Sequence, residues 1–574
     1  ISPLFGDLEG LPPIHMQSAE EDTILSDAVR LEARAREAGV AIEHRRQGHL
    51  WHDFQSQAGL IGAADEAIDA AGEAISRCWH GSAEGPRVAI IGSGFGGIAL
   101  ALRLQRAGIE EFTIFERGTE VGGTWSVNTY PGAACDIPAH VYSLANEPNP
   151  DWSRAYVGQE EIHAYLKGIA ERHGLLSHIR FGAEIARADF DEGAGLWRVE
   201  TMMGETHEAE VLVSACGQLS RPSVPAIAGM ESFGGAMFHS AEWAHDVDLT
   251  GKRVAVIGTG ASAIQLVPEL AELAGDLRVF QRSAPYVVPR MEFSYPAPVR
   301  WAFRKVPALR RLHRLFLWSV IEFFGLGFGR SQAPLWPLKR GHRKQLAEQV
   351  PDGALREALS PKDEIGCKRV LISNDYYPSF NRPNVELETT LIREIGEGGV
   401  VTIDGTEHPA DAIIWGTGFK ANEFLTPMRL FGRGGLELNE AWSEGARAYF
   451  GMTIADFPNL FLMYGPNTNQ ASGSIIHVLE SQANYILDAV QALRRRGGGT
   501  IELRPEAGEE FEREMQSRLA DSVWTGCQNW YVDERGRNSN NWPGISSEYR
   551  RRTRRLDPAH YVVTSPARVR EPVA

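Results

Sequence analysis

Two stretches of this chain repeat one pattern. "RVAIIGSGFGGIALALRLQRAG" begins at Arg87 and "KRVAVIGTGASAIQLVPELAELAGDLRVFQRS" at Lys252. Each opens with an apolar run of strand length, turns at a glycine cluster and continues as an amphipathic helix. A second apolar run follows each helix, "FTIFERG" in the first unit and "LRVFQRS" in the second. Strand, helix and strand in that order form parallel pairs with the helix as crossover. Two such units in one chain predict an α/β fold with two Rossmann-like dinucleotide-binding domains.

The glycines have separate tasks. In the first unit Gly92 permits the tight turn, Gly94 lets the backbone approach a pyrophosphate, and Gly97 lets the helix pack on the strand. Glu116 closes the next strand, where an acid binds both hydroxyls of an adenosine ribose. In the second unit the pattern is Gly258, Gly260 and Ala263. Residues Gly258, Thr259, Gly260, Ala261, Ser262 and Ala263 are expected along a pyrophosphate at the helix N-terminus. Arg282 stands where the acid would be, and a cation there suits a 2′-phosphate, with Ser283 adding a hydrogen bond. An acid-terminated unit followed by an arginine-terminated one points to FAD first and NADP(H) second.

At 574 residues the chain exceeds one core. Composition shifts suggest a helical N-terminal extension over 1–85 and an FAD domain built from 86–217 and 405–545. The NADP domain is expected from 218–290 and 367–404, with a helical insertion at 291–366 and a tail at 546–574. The extension reads as two helices. It serves either as an interaction surface, forming a homodimer, or as a packing collar. The net charge of −16 argues against nucleic acid. The five cysteines form no CxxC pair, which argues against a zinc ribbon, a disulfide scaffold or a redox dithiol and favours a cytoplasmic setting. No metal site is expected. "LFLWSVIEFFGLGF" is too short to span a bilayer and is read as a buried helix, so no membrane contact is expected.

Three further motifs carry a family resemblance. They are "GGTWSVNTYPGAACD" from Gly122 to Asp136, "FGGAMFHSAEW" from Phe233 to Trp243, and "DAIIWGTGF" from Asp411. The second places Phe233, Gly235, His239 and Trp243 in the spacing FxGxxxHxxxW. With the two glycine turns, this set resembles the type I Baeyer–Villiger monooxygenases over about residues 86–545. The ending "NWYVDERGRNSNNWPGISSEY" and the N-terminal extension look most like the 4-hydroxyacetophenone monooxygenase branch. Ala244 departs from the Pro or Asp usual after the motif's Trp.

The resemblance implies FAD, NADPH, dioxygen and a small-molecule ketone, with one oxygen atom inserted beside the carbonyl to give an ester or lactone. It implies attack by an anionic peroxyflavin. Arg369 is implied to face the flavin, oriented by Asp136. A guanidinium keeps its proton in a protein, so it can stabilise an oxyanion throughout. Lys368 is implied to help Arg282 hold the 2′-phosphate. The two cations open the apolar run "VLIS", where strand alternation would point them to opposite faces. Thr124, Trp125, Tyr142 and Ile185 match positions touching FAD, and Trp530 one touching NADP. His239 is read as a linker residue or a satisfied structural histidine. An S- or N-oxygenating flavin monooxygenase is the alternative.

Overall fold

The computed structural model describes residues 6–59, 61–80, 85–533 and 535–565. The ends of the predicted extension and tail, 1–5 and 566–574, lie outside the described residues.

The chain begins with β1 (Ile14–Ala19), α1 (Leu25–Glu37), β2 (Ile42–Gln47) and α2 (Gly62–His80). Both expected helices are present, together with two strands, one before α1 and one between the helices. β1 and β2 pair in parallel as a two-stranded sheet. Their sequences, "IHMQSA" and "IEHRRQ", are mostly polar and only half-buried, so no clean period-two signal marks them.

The first glycine unit forms β3 (Val88–Ile91), α3 (Phe95–Arg106) and β4 (Phe112–Glu116). Both neighbours of β3 are parallel to it: β4, and β5 (Val211–Ser214) on the other side. Strand Leu460–Leu462, from late in the chain, extends the sheet beyond β5. All residues of β3 and β5 are buried, as expected for a parallel sheet covered on both faces.

The second unit forms β6 (Arg253–Ile257), α4 (Ala261–Leu273) and β7 (Asp276–Phe280). Its sheet is also parallel and five-stranded. The strand next to β6 is Ala412–Trp415, from the "DAIIWGTGF" motif, and beyond it lies Ala236–His239, from the Phe233–Trp243 motif. The second unit's sheet therefore includes Ala412–Trp415, a strand from beyond residue 404. Each unit has its own apolar core.

The region 291–366 is helical, as expected. Its helix Pro307–Gly325 is not buried: Leu312, Leu315, Phe316 and Phe323 are exposed. Glu322 on that helix is buried instead, accepting from the backbone N–H groups of Ser546 and Ser547. No helix among the described residues is long and apolar enough to cross a membrane.

A disulfide joins Cys367 to Cys527, although the cysteine spacing argued against a disulfide scaffold. Partners so far apart in sequence leave no local spacing to read. The bond ties the Lys368–Arg369 segment to the loop that carries Trp530.

Candidate active site

One cavity of about 1490 Å³ runs between the two glycine turns. That exceeds the ~300–1,000 Å³ of a typical small-ligand pocket and gives room for two dinucleotides. Its wall includes Gly92, Gly94, Glu116, Thr124, Trp125, Asp136, Tyr142 and Ile185 on one side. On the other it includes Gly258, Thr259, Gly260, Ala261, Ser262, Arg282, Ser283 and Trp530, and Arg369 also lines it.

The first turn fits a pyrophosphate. Gly92 has φ 105°, and a Cβ there would sit 2.7 Å from the Ala215 carbonyl oxygen. A Cβ on Gly97 would come within 2.0 Å of the Gly92 oxygen, so the helix could not approach the turn. α3 starts at Gly94 without a side-chain cap, leaving its first N–H groups toward the cavity. Glu116 is held by the backbone N–H groups of Ser93 and Gly118 and by the Ser93 hydroxyl. These bonds fix the carboxylate at the strand end, where a ribose would meet it.

The second turn repeats this logic. Gly258 has φ 114°, and its Cβ would lie 2.4 Å from the Gly416 oxygen. α4 also starts at an uncapped glycine, Gly260. Ala263 is buried in the apolar core rather than on the cavity wall, so its small side chain serves packing. Arg282 is exposed on the wall with no carboxylate partner among the described residues. The backbone carbonyl of Ser283 accepts from the Thr259 hydroxyl, and its own hydroxyl accepts from Lys368 Nζ at 3.1 Å. A free guanidinium beside that network suits a phosphate dianion.

Lys368 and Arg369 do diverge, but not through strand alternation. The strand is only Leu371–Ile372, paired with Val287–Val288, and both cations precede it in an irregular segment just after a turn. Lys368 turns to Ser283 and also pairs with Asp363 at 2.6 Å. Arg369 turns to Asp136, whose Oδ2 accepts from Nε at 3.1 Å and from Nη2 at 2.5 Å. Asp136 raises the guanidinium further above its ordinary value, outweighing burial.

Residues missed in the sequence surround this pair. Tyr464 and Tyr531 feel the Arg369 charge, yet burial pushes both phenols up to about 12, so they remain neutral. Gln265 on α4 bridges the two motifs: its Nε2 donates to the Ala134 carbonyl, and its Oε1 accepts from Tyr130. A lone Gln within the apolar run "ASAIQLVPEL" was the available signal. Asn469 also lines the cavity, while Asn467 donates to the carbonyls of Asn538 and Asn541.

Trp125 donates its indole N–H to Tyr142. Trp530 packs on Tyr531 with ring centroids 4.1 Å apart. His239 is buried at the end of its strand, where Nδ1 accepts from Ala241 N–H, and burial lowers its pKa. It lies outside the cavity wall, beside the Phe419 ring. A Cβ on Gly235 would meet the Asp411 oxygen at 2.4 Å, and Phe233 and Trp243 are packing residues of this sheet.

A family model described as flavin-binding monooxygenase-like matches residues 85–322, and one described as alpha/beta hydrolase fold matches residues 1–56. Among solved structures, an oxidized steroid monooxygenase bound to NADP has TM-score 0.75 and 32% identity, covering 84% of this chain and 99% of that one. Cyclohexanone monooxygenase from Rhodococcus sp. Phi1 bound to NADP+ has TM-score 0.75 and 28% identity, with the same coverage. A Baeyer–Villiger monooxygenase of Pseudomonas aeruginosa is 41% identical over 83% of this chain and 92% of its own length. One of Streptomyces coelicolor is 44% identical over 84% of this chain and 93% of its own length. Relatives this similar over nearly their whole length establish that the chain belongs to the Baeyer–Villiger monooxygenases, FAD- and NADP-dependent flavoproteins.

Proposed function

We infer that this chain converts a ketone to an ester or lactone with NADPH and dioxygen, and that Arg369 and Asp136 carry the step. The single observation behind the role assignment is the Arg369–Asp136 pair on the wall of the shared cavity. Bound FAD, reduced by NADPH, supplies the activation of dioxygen. The chain's own residues supply the rest.

Asp136 occupies the Nε–Nη2 edge of the guanidinium. Nη1 makes no hydrogen bond to a described residue, so it is the donor offered to the cavity. Its permanent charge faces the carbonyl oxygen as negative charge develops there. Tyr464 and Tyr531, held neutral, add no competing anion. Arg282, with Ser283 and Lys368, selects the 2′-phosphate of NADPH. Trp530 and Phe419 stand on the cavity wall, and Asn422 donates to the Trp530 carbonyl, which joins their two loops.

Neighbours named for a steroid and for cyclohexanone support a bulky or cyclic ketone as the substrate. The reading toward 4-hydroxyacetophenone rested partly on the N-terminal extension. That extension matches a hydrolase model instead, so only the C-terminal ending still speaks for the branch. Heteroatom oxygenation is not favoured, because a fixed cation serves an anionic nucleophile better than an electrophilic oxygen donor. Offering a cyclic ketone and a thioether side by side with NADPH tests the reading. Ester or lactone should dominate; sulfoxide as the main product with no ester would overturn it.

A further inference from the structure

The extension carries an acid–histidine pair that the monooxygenase does not use. Asp22 lies just beyond β1 and His52 just beyond β2. His52 Nδ1 sits 3.1 and 3.0 Å from the two oxygens of Asp22. Asp22 Oδ1 also accepts from Ile24 N–H at 3.0 Å, which locks the carboxylate in place. The Asp22 side chain is 8% exposed and that of His52 is 53% exposed. An acid on Nδ1 fixes the tautomer and leaves Nε2 free to take a proton. Among the described residues, the other carboxylate recorded against Nε2 is Asp53, at 3.6 Å.

The surrounding fold has the topology of one crossover unit of a parallel sheet. β1, α1 and β2 make one parallel crossover, yet the sheet has only two strands. Parallel sheets are covered on both faces, and two strands alone rarely stand. Ile24 and Trp51, next in sequence to the pair, are about half exposed. Residues 1–56 match the α/β-hydrolase model. In that fold the triad runs in chain order serine, acid, histidine. Here the acid follows one strand and the histidine the next, in that order.

A rival triad does not compete. Ser18 Oγ, His44 and Glu32 form a chain of two 2.7 Å contacts. The His44 side chain is fully buried, and Glu32 is already neutralised by Arg36 and Arg46. No ester can reach it, so it serves as a core network.

We propose that Asp22 and His52 are the acid and base of a serine-hydrolase triad, completed by a serine on a hydrolase sheet paired to the free edge of β1, and that this site cleaves the ester made by the monooxygenase. The chain order places the serine on the N-terminal side of β1. Serine Oγ attacks the ester carbonyl while His52 Nε2 takes its proton. His52 returns that proton to the departing alkoxide, and water then releases the acid. Ester and water become acid and alcohol, with no change of oxidation state. Arg311 of helix Pro307–Gly325 binds the Gly59 carbonyl and pairs with Asp65 at 3.1 Å, which fastens the extension to the oxygenating domains. The choice of ester rests on the monooxygenase reading; the acid–base assignment does not.

The test uses the intact gene product as its cells make it. A fluorophosphonate probe should label one serine, mapped by mass spectrometry to the N-terminal side of Ile14. A nitrophenyl ester should be hydrolysed without NADPH. His52→Ala and Asp22→Asn should each cut that hydrolysis roughly 10³-fold or more. Flavin content and ketone-dependent NADPH oxidation should stay unchanged, which reports intact folding. With ketone and NADPH the native protein should yield acid and alcohol, and His52→Ala should accumulate ester. No label and no hydrolysis, a label that survives both substitutions, or a dimer through the extension without label would overturn the proposal. Nitrophenyl ester cleavage with no ester formed from any ketone would keep the acid–base assignment and overturn the choice of substrate.

Discussion

Replacing Arg369 by alanine removes the cation but leaves its partner. Asp136 Oδ2 now lies 2.5 Å from Nη2 and 3.1 Å from Nε. Without Arg369 that carboxylate faces the cavity uncompensated, with the same sign as the charge developing on the ketone oxygen. Loss of one preorganised oxyanion donor costs about 10²–10³ in rate. The exposed anion adds to this, so ester formation should fall by roughly 10³-fold, about 4 kcal/mol. NADPH and FAD are held by other residues, so flavin content and NADPH binding should persist. NADPH consumption should then run without ester. Arg369→Lys keeps a charge but loses the two-point contact and should fall about 10- to 100-fold. If Asp136 acts by positioning Arg369, the double variant Arg369→Ala/Asp136→Ala should be no slower than Arg369→Ala alone. The assay is ester by mass spectrometry beside NADPH oxidation. Ester formation within about threefold of the native rate in Arg369→Ala would refute the role.

Other outcomes follow from the same geometry. Arg282→Ala should raise KM for NADPH about 10- to 100-fold while leaving NADH nearly unaffected, as expected for one lost charged hydrogen-bond partner; equal losses for both cofactors would count against it. Gly97→Ala would set a Cβ 2.0 Å from the Gly92 oxygen, so the purified protein should lose most of its flavin absorbance. Glu322→Ala leaves the start of the Ser546–Arg552 helix without its acceptor and should lower stability by ~2 kcal/mol in denaturant titration. His140 is buried and its pKa is lowered from 6.5 to about 3, chiefly by burial. Its folded pKa lies below the unfolded one, so its contribution is intact above pH 6.5. It is lost at up to ~1.4 kcal/mol per pH unit as pH falls toward 3, and His140→Phe should flatten that acid limb.

Much of the fold was legible because the two glycine units carry strong local constraints. Gly92, Gly97 and Gly258 occupy positions where a side chain collides with backbone, so their spacing signals structure directly. Glu116 and Arg282 could be read because they end strands at known distances from those turns. Strand Ala412–Trp415 was visible as a strand but was grouped with the first unit, since long-range parallel pairing leaves no mark in sequence. The Cys367–Cys527 bond was hidden for the same reason. β1 and β2 escaped because polar residues dominate strands that border so small a sheet. Lys368 and Arg369 were placed on a strand by composition, whereas an irregular segment just after a turn directs them. Tyr464 and Tyr531 were unreadable because their effect depends on a charge distant in sequence.

The central claim is that one oxygen atom of dioxygen enters the ketone at the expense of one NADPH. Turnover of a cyclic ketone under heavy-isotope dioxygen, with NADPH counted in the same sample, tests it most directly. A lactone carrying one heavy oxygen in its ring, with one NADPH oxidised per lactone, is the expected result. Product whose added oxygen comes from water, or NADPH oxidation that never yields labelled lactone from any ketone offered, would contradict it.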